Sequence, residues 1–273
     1  MRLDEEARDD IAAQLTEIAV EAGRLLRAME RPGAEHRLKT DGSPTTDADL
    51  AAETLIVERL AGLWPGVPVV AEETSNAALP GDLFFLVDPL DGTRDYLHGT
   101  GEYTVNIALV AAGRPAAACV VAPALARAWA AGRTARVGAV TDGGIADWRE
   151  TRVRQTPPDG LVALVSRRHG DAATEACLST LSIGTRRTAS SALKFCLIAS
   201  GEADIYVRCG PTMEWDTAAG DHILTRAGGT VIKGGGGVMT YGHHGRGYVN
   251  GPFAALGDPS LSAQLNLPMP AAA

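Results

Sequence analysis

Aromatic residues make up only 5% of this 273-residue chain, cysteine occurs four times, and basic residues are outnumbered by acids, leaving a net charge of −8. Each shortage excludes something. With no basic stripe to neutralise a run of phosphates, binding to a nucleic-acid polymer is not expected. Cys119, Cys177, Cys196 and Cys209 form no CxxC pair and have no histidine at ligand spacing, so they read as reduced, buried thiols. The longest apolar run, Ala116 to Ala126, contains Pro123 and is too short to cross a bilayer, so no transmembrane segment is expected. The opening residues Met1-Arg2-Leu3-Asp4-Glu5-Glu6 are acidic and polar, unlike a secretory leader, and a cytoplasmic location is expected. What remains is ordinary globular composition, 45% hydrophobic and 21% charged, in a chain long enough to bury a large core.

Ile11, Leu15, Ile18, Ala22, Leu25 and Met29 recur at steps of three and four and predict a first helix, ended before Pro32-Gly33. Thr46 or Asp47 can cap a second helix running to about Leu63. Pro68–Ala71, Leu83–Val87, Tyr103–Val110 and Ala116–Val121 read as buried strands, and 128–140 as further strand structure. Polar residues, Gly143-Gly144 and Pro157-Pro158 between 141 and 160 suggest a boundary, giving mixed α/β halves over 1–150 and 151–273. The second half opens on a strand, 161–166, with a helix near 171–181. A buried helix over 192–200, a strand at 203–207, a helix over 216–227 and a strand at 230–232 follow. The glycines at 234–237 lack the lysine and spacing of a phosphate-cradling loop.

The informative stretch is Leu83-Phe84-Phe85-Leu86-Val87-Asp88-Pro89-Leu90-Asp91-Gly92-Thr93. An apolar strand delivers Asp88 to its end, Pro89 turns the chain, and Asp91 lies close enough to share a cation with Asp88. Gly92 and Thr93 would open a short helical segment with free N–H groups. Taken alone, Asp91-Gly92 is a turn and Asp88 a cap. Yet Glu72-Glu73 follow another apolar strand, and Asp216 sits after a tryptophan at a helix start. Gathering such acids is costly unless cations neutralise them, and an all-oxygen set suits Mg²⁺.

Glu72-Glu73, Asp88-Pro89-Leu90-Asp91-Gly92-Thr93 and Trp215-Asp216-Thr217-Ala218-Ala219-Gly220, in that order, resemble the inositol monophosphatase superfamily over nearly the whole chain. The resemblance implies a layered α/β/α/β/α sandwich and a Mg²⁺-dependent phosphomonoesterase holding two or three ions. Glu72, Asp88 and the Leu90 carbonyl would hold one ion, and Asp88, Asp91 and Asp216 a second. Asp47 would pair with Thr93 to orient the attacking water, beside Glu72, and Lys39 matches a basic position nearby. Asp91, Gly92, Thr93 and Asp216 would also meet the substrate.

Ser190-Ser191-Ala192-Leu193-Lys194-Phe195-Cys196-Leu197 and Gly210-Pro211-Thr212 are similar to the bacterial 3′(2′),5′-bisphosphate nucleotidases. Their substrate is adenosine 3′,5′-bisphosphate, a by-product of sulfate activation. Ser191 and Lys194 fall on one helical face and can anchor the second phosphate. His169 and Arg208 match positions lining the nucleotide, and Tyr206, Trp215 and Tyr241 are candidates to stack on adenine. Arg186-Arg187 and His243-His244 read as solvated. Lithium inhibition and a monomer or homodimer are expected. An inositol or other polyol phosphatase, or a catalytically silent phospho-metabolite sensor, are the alternatives.

Overall fold

The computed structural model describes residues 3–31, 33, 35–39, 42–74, 79–167 and 170–269. Helix α1 (Glu5–Met29) starts where the Asp4 carboxylate accepts the Ala7 N–H, and buries Ile11, Leu15, Ile18, Ala22 and Leu26. Leu26, rather than Leu25, completes that stripe. A hairpin of β1 (Arg37–Leu38) and β2 (Pro44–Thr45) leads into α2 (Asp47–Leu63). Next come β3 (Val69–Ala71), β4 (Leu83–Asp91), a short helix α3 (Thr93–Leu97), β5 (Thr104–Ala111), β6 (Arg114–Ala122), β7 (Arg127–Ala131), β8 (Ala135–Thr141) and β9 (Gly144–Glu150). These seven strands lie side by side in chain order, antiparallel except for β3 with β4.

The remaining chain forms β10 (Leu161–Val165), α4 (Ala172–Leu178), β11 (Ile183–Thr188), α5 (Leu193–Ala199), β12 (Ile205–Arg208), β13 (Thr212–Met213), α6 (Glu214–Arg226), β14 (Thr230–Lys233), β15 (Val249–Asn250) and β16 (Phe253–Leu256). Five of these strands make a second sheet in the order β11-β10-β12-β16-β14.

Three apolar interfaces stack these pieces into the α/β/α/β/α sandwich. α1 and α2 pack Leu15, Ile18, Ile56 and Leu60 against Phe85, Val87 and Ile107 on one face of the seven-stranded sheet. Phe84, Leu86, Ala108 and Val110 on its other face meet Phe195, Ala218 and Ile223 of α5 and α6, which also touch Tyr206 and Phe253 of the second sheet. Leu178 of α4 covers the far side, over Leu161, Ile205 and Leu256. Both faces of β4 are buried, so its sequence is a continuous apolar run with no alternation.

Seven strands went unread, four of them two-residue pieces (β1, β2, β13 and β15) and three in the two large sheets. β9 lies inside the stretch taken as a boundary; it closes a hairpin through Asp142-Gly143, where Thr141 pairs with Gly144. β11 is an exposed edge strand, Ile-Gly-Thr-Arg-Arg-Thr, with no apolar signal. β16 lies inside the second sheet, between β12 and β14, yet is only four residues long. The four cysteines are free thiols.

Candidate active site

The site begins with an irregularity in β4. Pairing with β5 runs residue for residue from Leu83 opposite Ala111 to Asp88 opposite Asn106, then jumps to Asp91 opposite Thr104. Three steps on β4 match two on β5, which is a β-bulge. In a regular strand, residues three apart face opposite sides. The extra residue brings Asp91 round to the side of Asp88, facing the α5–α6 layer, and turns Leu90 to join Phe85 and Val87 toward α1 and α2. Pro89, with no N–H to give the ladder, suits the break.

Glu72 follows β3, and Asp216 is the third residue of α6. Asp88 is 1% exposed, and among the described residues it accepts one hydrogen bond, from the Leu90 N–H at 3.0 Å. Asp91 Oδ2 accepts from the Ala192 N–H at 2.7 Å and Asn106 Nδ2 at 3.2 Å. Asp216 Oδ2 accepts from the Met213 N–H at 3.1 Å and from the Thr212 hydroxyl. Lys39 Nζ bridges Glu72 at 2.5 Å and Glu73 at 2.8 Å.

These acids feel one another. Burial pushes the Asp88 carboxyl well above the usual carboxylate range, and Glu72, Asp91 and Asp216 push it further. Burial raises Glu72 to about 8, with Lys39 opposing and Asp216 adding to the rise. Burial and Asp216 lift Asp91 to about 6 against the pull of Lys194. At Lys39 burial works downward, but the Glu72 and Glu73 charges outweigh it and raise the ammonium. Among the described residues no three acid, histidine or cysteine side chains are drawn together closely enough to hold an ion; Lys39 holds Glu72, and Thr212 holds Asp216. The donor set nonetheless fits a hard cation: it is all oxygen, short of positive charge, and borders a buried Asn106 Oδ1 with no partner among the described residues.

Thr93, at the start of α3, donates to Asp49 Oδ1 at 3.0 Å and approaches the Leu90 carbonyl at 3.2 Å. The acid expected there was Asp47, and the structure corrects it. Asp47 is the first residue of α2; its side chain is 78% exposed and pairs with Arg37 at 2.9 Å. Asp49 turns back over the helix end, where its Oδ2 accepts the Thr46 N–H at 2.8 Å in a capping box. That leaves Oδ1 for Thr93. Gly92, just before Thr93, has φ +97°, and a Cβ there would lie 2.3 Å from Ser191 Oγ.

A cleft of about 690 Å³ opens over these groups, lined further by Lys194, Arg208, Tyr206 and Trp215. Ser191, at φ +59°, donates its hydroxyl to the Asp91 carbonyl at 2.8 Å, which fixes the acid loop instead of presenting a donor to a second phosphate. Lys194 is buried; it donates to the Ser191 carbonyl at 3.0 Å and lies 4.7 Å from the centre of the Tyr206 ring. Its hydrogen-bond partners are uncharged carbonyls, and its charge acts on the Asp91 carboxyl. Arg208 donates through Nη2 to the Pro211 carbonyl at 2.6 Å, while its buried Nε has no partner among the described residues. His169 lies outside the described residues. Tyr241 is buried away from the cleft, donating to Asp221. His243, expected to be solvated, meets the buried Glu214 at 2.6 Å.

Residues 7–261 match the sequence profile of the inositol monophosphatase family. The chain belongs to that family. The 3′(2′),5′-bisphosphate nucleotidase CysQ of Salmonella typhimurium is 40% identical over 200 residues, 72% of this chain and 79% of that one. The CysQ of Haemophilus influenzae is 29% identical over 259 residues, 91% of this chain and 93% of its own. Among solved structures, CysQ from Bacteroides thetaiotaomicron, described as a bacterial member of the inositol monophosphatase family, aligns with a TM-score of 0.75 at 29% identity, covering 90% of this chain and 97% of that chain. The Thermotoga maritima IMPase shares the fold, with a TM-score of 0.75 at 23% identity over 94% and 95% of the two chains.

Two residues of this inositol monophosphatase family member escaped the sequence reading. Asp49 had a signal, since Thr-x-x-Asp ahead of a helix is a capping box. Asn106 had one too, as the lone amide in the strand Thr-Val-Asn-Ile-Ala-Leu-Val-Ala.

Proposed function

We propose that the chain is a Mg²⁺-dependent phosphomonoesterase, converting adenosine 3′,5′-bisphosphate and water to AMP and phosphate. The observation that carries this reading is the bulge that turns Asp88 and Asp91 to one side, facing Glu72 and Asp216 with too little positive charge to balance them. The names of the CysQ relatives support the nucleotide as substrate. Glu72, Asp88 and the Leu90 carbonyl would hold one ion, and Asp88, Asp91 and Asp216 a second. Bound Mg²⁺ supplies Lewis-acid polarisation of the phosphoryl oxygens and balances the acids.

The chain's own residues do the rest. The Thr93 O–H is committed to Asp49, so its lone pairs can accept a hydrogen from a water in the cleft and aim that water at phosphorus. Asp49 is held for this by the Thr46 N–H and, at 2.6 Å, the Thr46 hydroxyl. The water oxygen bonds to phosphorus as the bond to the ribose oxygen breaks, and that oxygen leaves as a hydroxyl. Lys194 and Arg208 are the cations for the second phosphate. Such an enzyme would serve sulfate assimilation in the cytoplasm and be inhibited by lithium.

Phosphate release from adenosine 3′,5′-bisphosphate and from inositol monophosphate tests the reading. A much higher kcat/KM on the nucleotide is expected. The reverse order would establish a polyol phosphatase, and no Mg²⁺-dependent release from any ester would leave the sensor.

A further inference from the structure

We infer that Asn106 is a positioning residue: it tethers Asp91 in the orientation that serves a divalent cation, and it is kept there for affinity rather than for stability. The inference rests on the reading of Asp91 as a ligand. Asn106 is the third residue of β5, 1% exposed, in a strand otherwise of apolar residues and one threonine. It lies directly across from Asp88, and its neighbour on the same face, Thr104, lies across from Asp91.

The amide orientation is dictated. Asp91 Oδ2 can only accept, so Nδ2 must face it, at 3.2 Å. That choice leaves Asn106 Oδ1 buried with nothing to accept from among the described residues, and Thr104 Oγ1 is in the same condition. A residue retained for stability would satisfy both ends of its amide, or would be an apolar side chain of the same size. Here one end is satisfied, and it is the end that touches the acid. Asn106 and the Ala192 N–H both act on Oδ2, so together they fix the rotation of the carboxylate and leave Oδ1 for a ligand. Without Asn106 a single tether remains and the carboxylate can swing.

The test replaces Asn106 by leucine, close in size, and separately by alanine, which cannot overpack the strand. Mg²⁺ binding is read by calorimetric titration, alongside the thermal midpoint of the metal-free protein and KM for the nucleotide at saturating Mg²⁺. Loss of the partner that orients a ligand should weaken Mg²⁺ binding roughly ten- to a hundredfold. The metal-free Asn106→Leu protein should melt no lower than the parent, and KM should be unchanged in both variants. Unaltered Mg²⁺ affinity in both would overturn the inference. So would a loss of affinity that merely follows the fraction unfolded, since that marks a structural role. If the parent protein itself binds no Mg²⁺, the acid-centre reading is what fails, and this inference falls with it.

Discussion

Asp88 and Asp221 are both fully buried acids, but they live under opposite conditions. Asp221, inside α6, meets Arg114 at 2.8 Å and accepts hydroxyls from Tyr241 at 2.9 Å and Thr225 at 3.1 Å. Burial raises its carboxyl, and the Arg114 charge and these donors pull it back. At Asp88 three acids, Glu72, Asp91 and Asp216, add to the effect of burial, and one backbone N–H, from Leu90, opposes it. A buried charge is tolerable when the fold supplies its partner and costly when it does not. Burial alone therefore marks no site; uncompensated burial does.

Changing each acid in turn should break this contrast in opposite ways. Asp88→Asn is expected to lower kcat by roughly 10³-fold, about 4 kcal/mol, in a phosphate-release assay. It should also raise the melting point of the metal-free protein. Because the carboxyl is raised in the folded state, the folded chain holds that proton more tightly than the unfolded one, and stability drains away as pH rises. The gain from the variant should therefore be larger near pH 8 than near pH 5. A parent-like rate would remove the acid from the chemistry.

Asp221→Asn should do the reverse. It strips the countercharge from Arg114 and should cost about 3 kcal/mol in denaturant unfolding, while the folded fraction keeps its kcat. A neutral effect on stability would erase the contrast. The smallest of the three effects separates two acids two residues apart on α2: Asp49→Asn should lower kcat about 10²-fold, and Asp47→Asn less than about twofold. Equal losses would restore Asp47 to the role first expected of it.

Much of the fold was legible because its signals are local. The α1 stripe, the Thr46 cap and the apolar runs of β4 to β6 each follow from spacing that the chain carries in one place. The acids of the site were legible too, since Asp88, Asp91 and Asp216 lie in distinctive runs. What failed depended on geometry between elements. Asp47 and Asp49 differ by two positions and not at all in charge; only the direction in which a capped helix turns its third residue separates them. Ser191 and Lys194 do come together, but the serine hydroxyl is spent on the Asp91 carbonyl, which belongs to the other sheet. β11 hides because an exposed edge with two arginines has no alternation to read.

The extra residue in β4 makes the site a matter of odd and even numbers. Pro89 and Leu90 contribute little polar chemistry of their own beyond a carbonyl and an N–H, yet their count sets which way Asp91 looks. Lengthening or shortening that link by one residue would keep every acid in the chain and send Asp91 to face α1 and α2, among leucines and valines. Drift in this lineage can therefore exchange side chains here far more readily than it can insert or delete one.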